Sequence, residues 1–321
     1  MNLGISIAML VFGFMFLIKG ADFLVEGASS FAKKLGISEI VIGLTIVAFG
    51  TSMPELIVNI FGSISGNNEI AYGNVIGSNI LNILLIAGVA AIISPIAVKK
   101  NTAFIEIPFS ILITILFFFL VNDTIFGKSE NNFTRIDALI LLAVFAGFLI
   151  YIFKTAKNNL GDEAEGVKIF TTKKTVLFIV MGFVGLFAGG KMIVDSAVSI
   201  ANSIGISQKL IGLTIVALGT SLPELVTSSV AAYKGRNDIA IGNVVGSNIF
   251  NILLIMGVSG IISPMGYNPA LFNFDMYTLM AVSGLLLLAM FTINKKVLDR
   301  IEGIIFIGLY IVYTVRLIII G

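Results

Sequence analysis

The chain has 321 residues, of which 57% are hydrophobic and only 12% charged, with a mean hydropathy of +1.06. A soluble globular domain carries about 25% charged residues, so this composition excludes one and places the chain in a bilayer. With no Cys and no His it lacks the usual ligands for zinc, copper and haem, and the groups for thiol or imidazole catalysis; a metal handled here is a hard cation held by oxygen, and the net charge of +2 offers no nucleic-acid-binding block.

Crossing roughly 30 Å of hydrocarbon takes about 20 mostly apolar residues. In chain order, such stretches lie near 3–27, 38–63, 70–94, 103–121, 135–153, 175–199, 207–232, 239–262, 276–293 and 301–319. The expectation is an all-α polytopic membrane protein of ten transmembrane helices. No small-residue cleavage site follows the first stretch, which therefore reads as a retained helix rather than a signal peptide. The polar connector 154–174, with Asp162, Glu163 and Glu165 among its lysines, is too short for a domain. It reads as a cytoplasmic linker between a first five-helix unit, 1–153, and a second, 175–321. Lys and Arg set the orientation. With the N-terminus outside, the cytoplasmic side receives residues such as Lys33, Lys34, Lys99, Lys100, Lys173, Lys174, Lys234, Arg236, Lys295 and Lys296, while Lys128, Arg135, Lys209 and Arg316 fall outside. Both termini are expected to be extracellular, in the cell membrane.

Residues 36–95 and 205–264 align without a gap, Glu224 following Glu55 as Asn251 follows Asn82, and about 38 of the aligned positions are identical. The first copy reads GISEIVIGLTIVAFGTSMPELIVN and later GNVIGSNILNILLIAGVAAIISP; the second reads GISQKLIGLTIVALGTSLPELVTS and later GNVVGSNIFNILLIMGVSGIISP. Five spans separate equivalent helices, so the copies are expected to cross in opposite senses, as inverted-topology repeats. Duplication can merely enlarge a bundle, but here the best-matched positions are polar ones at membrane depth, where a scaffold keeps apolar packing.

Each copy places G-T-S-x-P-E in mid-helix: Gly50, Thr51, Ser52, Pro54, Glu55 and Gly219, Thr220, Ser221, Pro223, Glu224. A carboxylate at the bilayer centre costs about 3 kcal/mol even on the lenient insertion scale. Two of them need a counter-charge, no Lys or Arg is placed to supply it, and two carboxylates neutralise one Ca²⁺. Pro54 and Pro223 have no N–H and clash with the carbonyls of Gly50 and Gly219, so each helix is expected to kink and free backbone oxygens. Helical spacing sets Thr51 and Ser52 on the face of Glu55, and Thr220 and Ser221 on that of Glu224. In the following helices Ser78 with Asn82, and Ser247 with Asn251, stand at i and i+4 and can complete an oxygen cage. Asn74 and Asn243 read as bridges across broken helices, Asn79 and Asn248 as lying off the serine face, and the pairs Gly73/Gly77 and Gly242/Gly246 as close-packing faces. Lys19, Asp22, Glu26, Lys191 and Asp195 read as pairing or snorkelling residues, and Glu106 as interfacial.

At these motifs the chain resembles the cation/calcium exchanger superfamily, in particular its prokaryotic sodium/calcium exchanger branch. The resemblance spans the whole chain. It implies a core of helices 2, 3, 7 and 8 around four clustered cation sites, with helices 1 and 6 sliding across it. It also implies that Glu55 and Glu224 are shared by Ca²⁺ and Na⁺, with Thr51, Ser52, Thr220, Ser221, Ser78, Ser247 and the carbonyls of Ala48 and Ala217 as further ligands. Family members often carry an aspartate at one of the positions of Asn82 and Asn251; here both are amides. The expected function is secondary active antiport of Ca²⁺ against Na⁺, with a Ca²⁺/H⁺ exchanger using the same glutamates as the alternative. Neither an enzyme nor a cofactor is expected, and a monomer should suffice.

Overall fold

The computed structural model describes residues 3–127, 129–156, 168–203 and 217–320. Residues 157–167 of the expected linker and 207–216 of the expected seventh span lie outside those residues. The remainder is almost entirely helical. α1 (Leu3–Leu35) is a long apolar helix that ends where Gly36 takes φ 63°, with Lys33 and Lys34 in its last turn, as cations suit a helix C-terminus. A bent pair follows, α2 (Glu39–Thr51) and α3 (Met53–Ile64), and then α4 (Asn68–Ile93), α5 (Thr102–Val121) and α6 (Arg135–Thr155). The second half has α7 (Thr172–Ser203), α8 (Ala217–Thr220), α9 (Leu222–Tyr233), α10 (Asn237–Ile262), α11 (Pro269–Ala289) and α12 (Arg300–Ile320). Among the described residues eight helices are long and apolar enough to cross a membrane, and α2 with α3 makes a ninth if the bent pair is one span. The chain is a multi-pass membrane protein. α8 and α9 are the described part of the expected span 207–232.

Helix boundaries follow local chemistry. α11 begins a turn or two before the expected 276 because Asn268 caps the amide of Ala270 and Pro269 occupies the first turn, where its missing N–H costs nothing. α6 starts at a capping box, Thr134 and Asp137 exchanging bonds. The tight turns α3–α4 and α9–α10 each need a residue with positive φ, supplied by Gly66 (71°) and Gly235 (70°).

α1 and α7 pack along each other antiparallel: Ser6 pairs with Ser199 at 3.2 Å at one end, and Ser30 with Thr175 at 2.9 Å near the other. Between them the backbones meet over glycine. A Cβ on Gly20 would lie 2.7 Å from the Leu186 amide nitrogen, and one on Gly189 2.6 Å from the Gly13 carbonyl oxygen. The centre of the molecule is formed by α4 and α10, whose most apolar stretches are 72% and 78% buried, against 22% and 17% for α6 and α12 at the rim. Each rim helix packs on the opposite half. α12 lies along α4, with Gly303 over Gly88, and α6 lies along α10, with Ala138 and Leu142 over Gly260 and Gly257. Two short antiparallel ladders repeat the exchange: β1 (Ile96–Ala97) pairs with β4 (Val297–Leu298), and β2 (Asn132–Phe133) with β3 (Met265–Gly266).

Candidate cation site

The bends fall where the sequence places them. α2 stops at Thr51, Ser52 leaves the helical region at φ −82°, ψ 9°, and α3 restarts at Met53 with Pro54 in its first turn, bent by 47°. Ser221 repeats this at φ −93°, ψ 7°, between α8 and α9. A proline that cannot donate to the preceding turn forces each break. The break sets the serine hydroxyl and the glutamate that follows it in the middle of the bundle.

There the two halves trade hydrogen bonds. Ser52 Oγ donates to Glu224 Oε1 at 2.9 Å, and Ser221 Oγ donates to Glu55 Oε1 at 2.9 Å. Ser221 Oγ also lies 3.3 Å from Ser78 Oγ, and Ser247 Oγ 3.5 Å from Glu224 Oε1. Thr220 lies near the Glu55 carboxylate, and Thr51 near that of Glu224. Reciprocal bonds between equivalent residues are the pattern a two-fold axis produces. The serine of each half therefore serves the carboxylate of the other, whereas helical spacing alone points it toward its own.

Both carboxylates are about 1% exposed, and among the described residues neither makes an ion pair. Glu55 Oε2, Glu224 Oε2, Asn82 Oδ1 and Asn251 Oδ1 are all buried with no hydrogen-bond partner among the described residues. Four unsatisfied acceptors, two of them on ionisable groups, are costly in a protein interior. They become favourable ligands when a cation arrives, because hard cations take several oxygen ligands of mixed type. Asn82 and Asn251 both sit in π-helical turns, Asn82–Ile86 and Phe250–Ile255, a local widening frequent at functional sites.

The structure thus brings together Glu55, Glu224, Ser52, Ser221, Ser78, Ser247, Thr51 and Thr220. Asn82 and Asn251, one turn beyond Ser78 and Ser247, are also buried, and their amides bond to Asn248 and Asn79 rather than to either carboxylate. The Ala48 carbonyl already accepts the Ser52 N–H at 3.0 Å and lies 3.3 Å from the Thr51 hydroxyl, which also reaches Asn243 Oδ1 at 3.0 Å. Ala217 opens α8 at the matching position. Asn74 and Asn243 act as bridges: their amides donate to the Glu55 carbonyl at 3.2 Å and the Glu224 carbonyl at 3.3 Å, and on to Asn59 and Ser228. Asn59 and Ser228 went unnoticed in the sequence, although they occupy aligned positions one turn after each glutamate.

Outside the cluster, Glu106 stands at the head of α5, where the sequence places it, and is buried, accepting from the Tyr151 hydroxyl of α6 at 2.7 Å. Asp275 of the second half is held in the same way by Tyr313 at 3.1 Å. Asp22 and Glu26 pair with Lys234 of the α9–α10 turn, and Lys191 pairs with Asp195 at 3.0 Å.

A family model described as sodium/calcium exchanger protein matches residues 5–154 and 174–319. The sodium/calcium exchanger MaX1 of Methanosarcina acetivorans is 34% identical over 347 residues, covering 98% of this chain and 98% of its own. The inner membrane protein YrbG of Escherichia coli is 34% identical over 291 residues, 87% of this chain and 86% of its own. Among solved structures, the sodium-calcium exchanger NCX_Mj soaked with 10 mM Na⁺ and no Ca²⁺ superposes with a TM-score of 0.83 at 32% identity, covering 97% of this chain and 98% of that one.

Proposed function

The chain belongs to the sodium/calcium exchanger protein family, a family of transporters rather than enzymes, and on that footing we propose that it is a secondary active antiporter exchanging Ca²⁺ for Na⁺ across the cell membrane. In this reading the ten spans form two inverted five-helix repeats with both termini outside, and the ions bind at the Glu55/Glu224 cluster. The antiparallel crossing of α1 with α7 and the reciprocal serine–glutamate bonds support it. The observation that carries the site assignment is the set of four buried oxygens without partners, two carboxylate and two amide.

Mutual exclusion gives exchange. Ca²⁺ and Na⁺ compete for the same two carboxylates, the hydroxyls of Thr51, Ser52, Ser78, Thr220, Ser221 and Ser247, the amide oxygens of Asn82 and Asn251, and the carbonyls of Ala48 and Ala217. A site emptied of ions leaves uncompensated charge at low dielectric, which is costly to occlude, so the empty carrier does not cross and uncoupled leak is suppressed. One molecule contains a complete site.

The test is Ca²⁺ uptake into proteoliposomes driven by an outward Na⁺ gradient with the pH gradient clamped. Uptake that rises with the Na⁺ gradient is expected. Uptake that follows the pH gradient and ignores Na⁺ would replace this reading with Ca²⁺/H⁺ exchange on the same glutamates.

A further inference from the structure

Asn79 and Asn248 belong to none of the oxygens assigned to the ions, yet both are buried at the crossing of α4 and α10. Asn79 Nδ2 donates to the backbone carbonyl of Asn248 at 3.3 Å, and Asn248 Nδ2 donates to that of Asn79 at 3.3 Å. Their other ends face the site residues of the opposite half. Asn248 Oδ1 accepts from Asn82 Nδ2 at 2.9 Å, and Asn79 Oδ1 accepts from Asn251 Nδ2 at 2.8 Å.

The two ends of an amide have nearly the same shape, so the hydrogen-bond network decides which end faces a ligand. Here the polarity propagates from a fixed point. A backbone carbonyl can only accept, so it draws Nδ2 of Asn79 or Asn248 toward itself and turns Oδ1 the other way. That oxygen can only accept in turn, so it takes the NH₂ of Asn251 or Asn82. The end of each ligand amide left without a partner is then an oxygen at both places, Asn82 Oδ1 and Asn251 Oδ1. A flipped amide would present NH₂ to a cation and set two acceptors against each other behind it.

We propose that Asn79 and Asn248 are positioning residues that hold Asn251 and Asn82 oxygen-first toward the cation, each acting on the ligand of the other half. The assignment rests on the cluster being a Ca²⁺ site. It implies that neither half can present its amide ligand correctly without the other.

The test uses purified full-length protein and Ca²⁺ titration by calorimetry, with transport KM and maximal rate in proteoliposomes. Asn248→Ala and Asn248→Leu are made in parallel, so that the smaller side chain keeps the test open where the larger is not accommodated. Loss of a partner that orients a metal ligand typically costs 10–100-fold in affinity, and a drop of at least about tenfold in Ca²⁺ affinity is expected, carried by KM. Orientation is separated from packing in the Asn82→Asp background, because a carboxylate has oxygen at both ends and no polarity to fix. There the Asn248 substitutions should lower affinity no further, whereas Asn79→Ala, which acts on Asn251, should still do so. An affinity within twofold of the parent for whichever Asn248 variant folds, or an equal loss in the Asn82→Asp background, would overturn the proposal. Absence of Ca²⁺ binding by the parent protein would instead remove the cation site on which it rests.

Discussion

Glu55→Gln keeps the volume of the side chain and removes one charge from a cluster that holds two. Glu55 has one oxygen on Ser221 and one free, so the amide can occupy the same space. Removing one partner of a buried charge pair costs about 3–5 kcal/mol; at 1.4 kcal/mol per tenfold, Ca²⁺ affinity should fall by about two to three and a half powers of ten. The ion-free protein should move the other way, because one fewer uncompensated charge is buried. The two effects can be read together by thermal unfolding in detergent, with chelator or with Ca²⁺. At 100 times the parent Kd, Ca²⁺ stabilises the parent by about 2.7 kcal/mol; if Kd rises 100-fold, the same concentration gives the variant only about 0.4 kcal/mol. The variant should therefore be the more stable protein in chelator and the less stable one in Ca²⁺. If Glu55→Gln retained the parent's stabilisation by Ca²⁺, or unfolded earlier than the parent in chelator, the reasoning would fail.

At Gly50 an added Cβ would lie 1.9 Å from the Phe183 ring of α7, so Gly50→Ala should slow exchange severalfold. Pairing it with Phe183→Ala should recover rate if that ring is the obstacle. Gly20→Ala should destabilise by about 1–3 kcal/mol, the usual cost of overpacking, because its neighbours are backbone atoms of α7, whereas Gly190→Ala, with nothing within 4 Å among the described residues, should be neutral or stabilising; thermal unfolding compares them. Lys234→Gln removes the contacts to Asp22 and Glu26. Such partly exposed pairs are worth about 1 kcal/mol or less, so stability should hardly change, but α1 should separate more readily from the α9–α10 turn. A single cysteine introduced at Ser29 of this cysteine-free chain should then react faster with a maleimide, and an unchanged rate would argue that the pairs do not hold the two elements together.

Much of the arrangement could be read from residue types and spacing. The paired GTSMPE and GTSLPE segments locate both breaks and both carboxylates, because a proline in mid-span and an acid at membrane depth each have few physical explanations. Alignment of the copies reveals equivalence but not contact. It could not show that Ser52 serves Glu224 and Ser221 serves Glu55, because the exchange is made by the crossing of halves that lie far apart in sequence. Asn79 and Asn248 were set aside for the same reason: they leave the serine face of their own helix because they are directed at the other one. Lys234 gives no local hint of Asp22 and Glu26, which precede it by some 200 residues. Nor does the sequence show that Tyr151 of the next span bonds Glu106.

The glycine contact between α1 and α7 limits how the protein can move. Two rods whose backbones touch at several glycines, with polar pairs near each end, leave little side-chain layer at those points to deform and should move together as one stiff plank. Residues of that plank, Phe183 and Val194, rest on Gly50 and Gly219 at the two bends. Under the exchange mechanism proposed above, a shift of the plank would alter its contacts at both bends together, which couples the two halves before any ion binds.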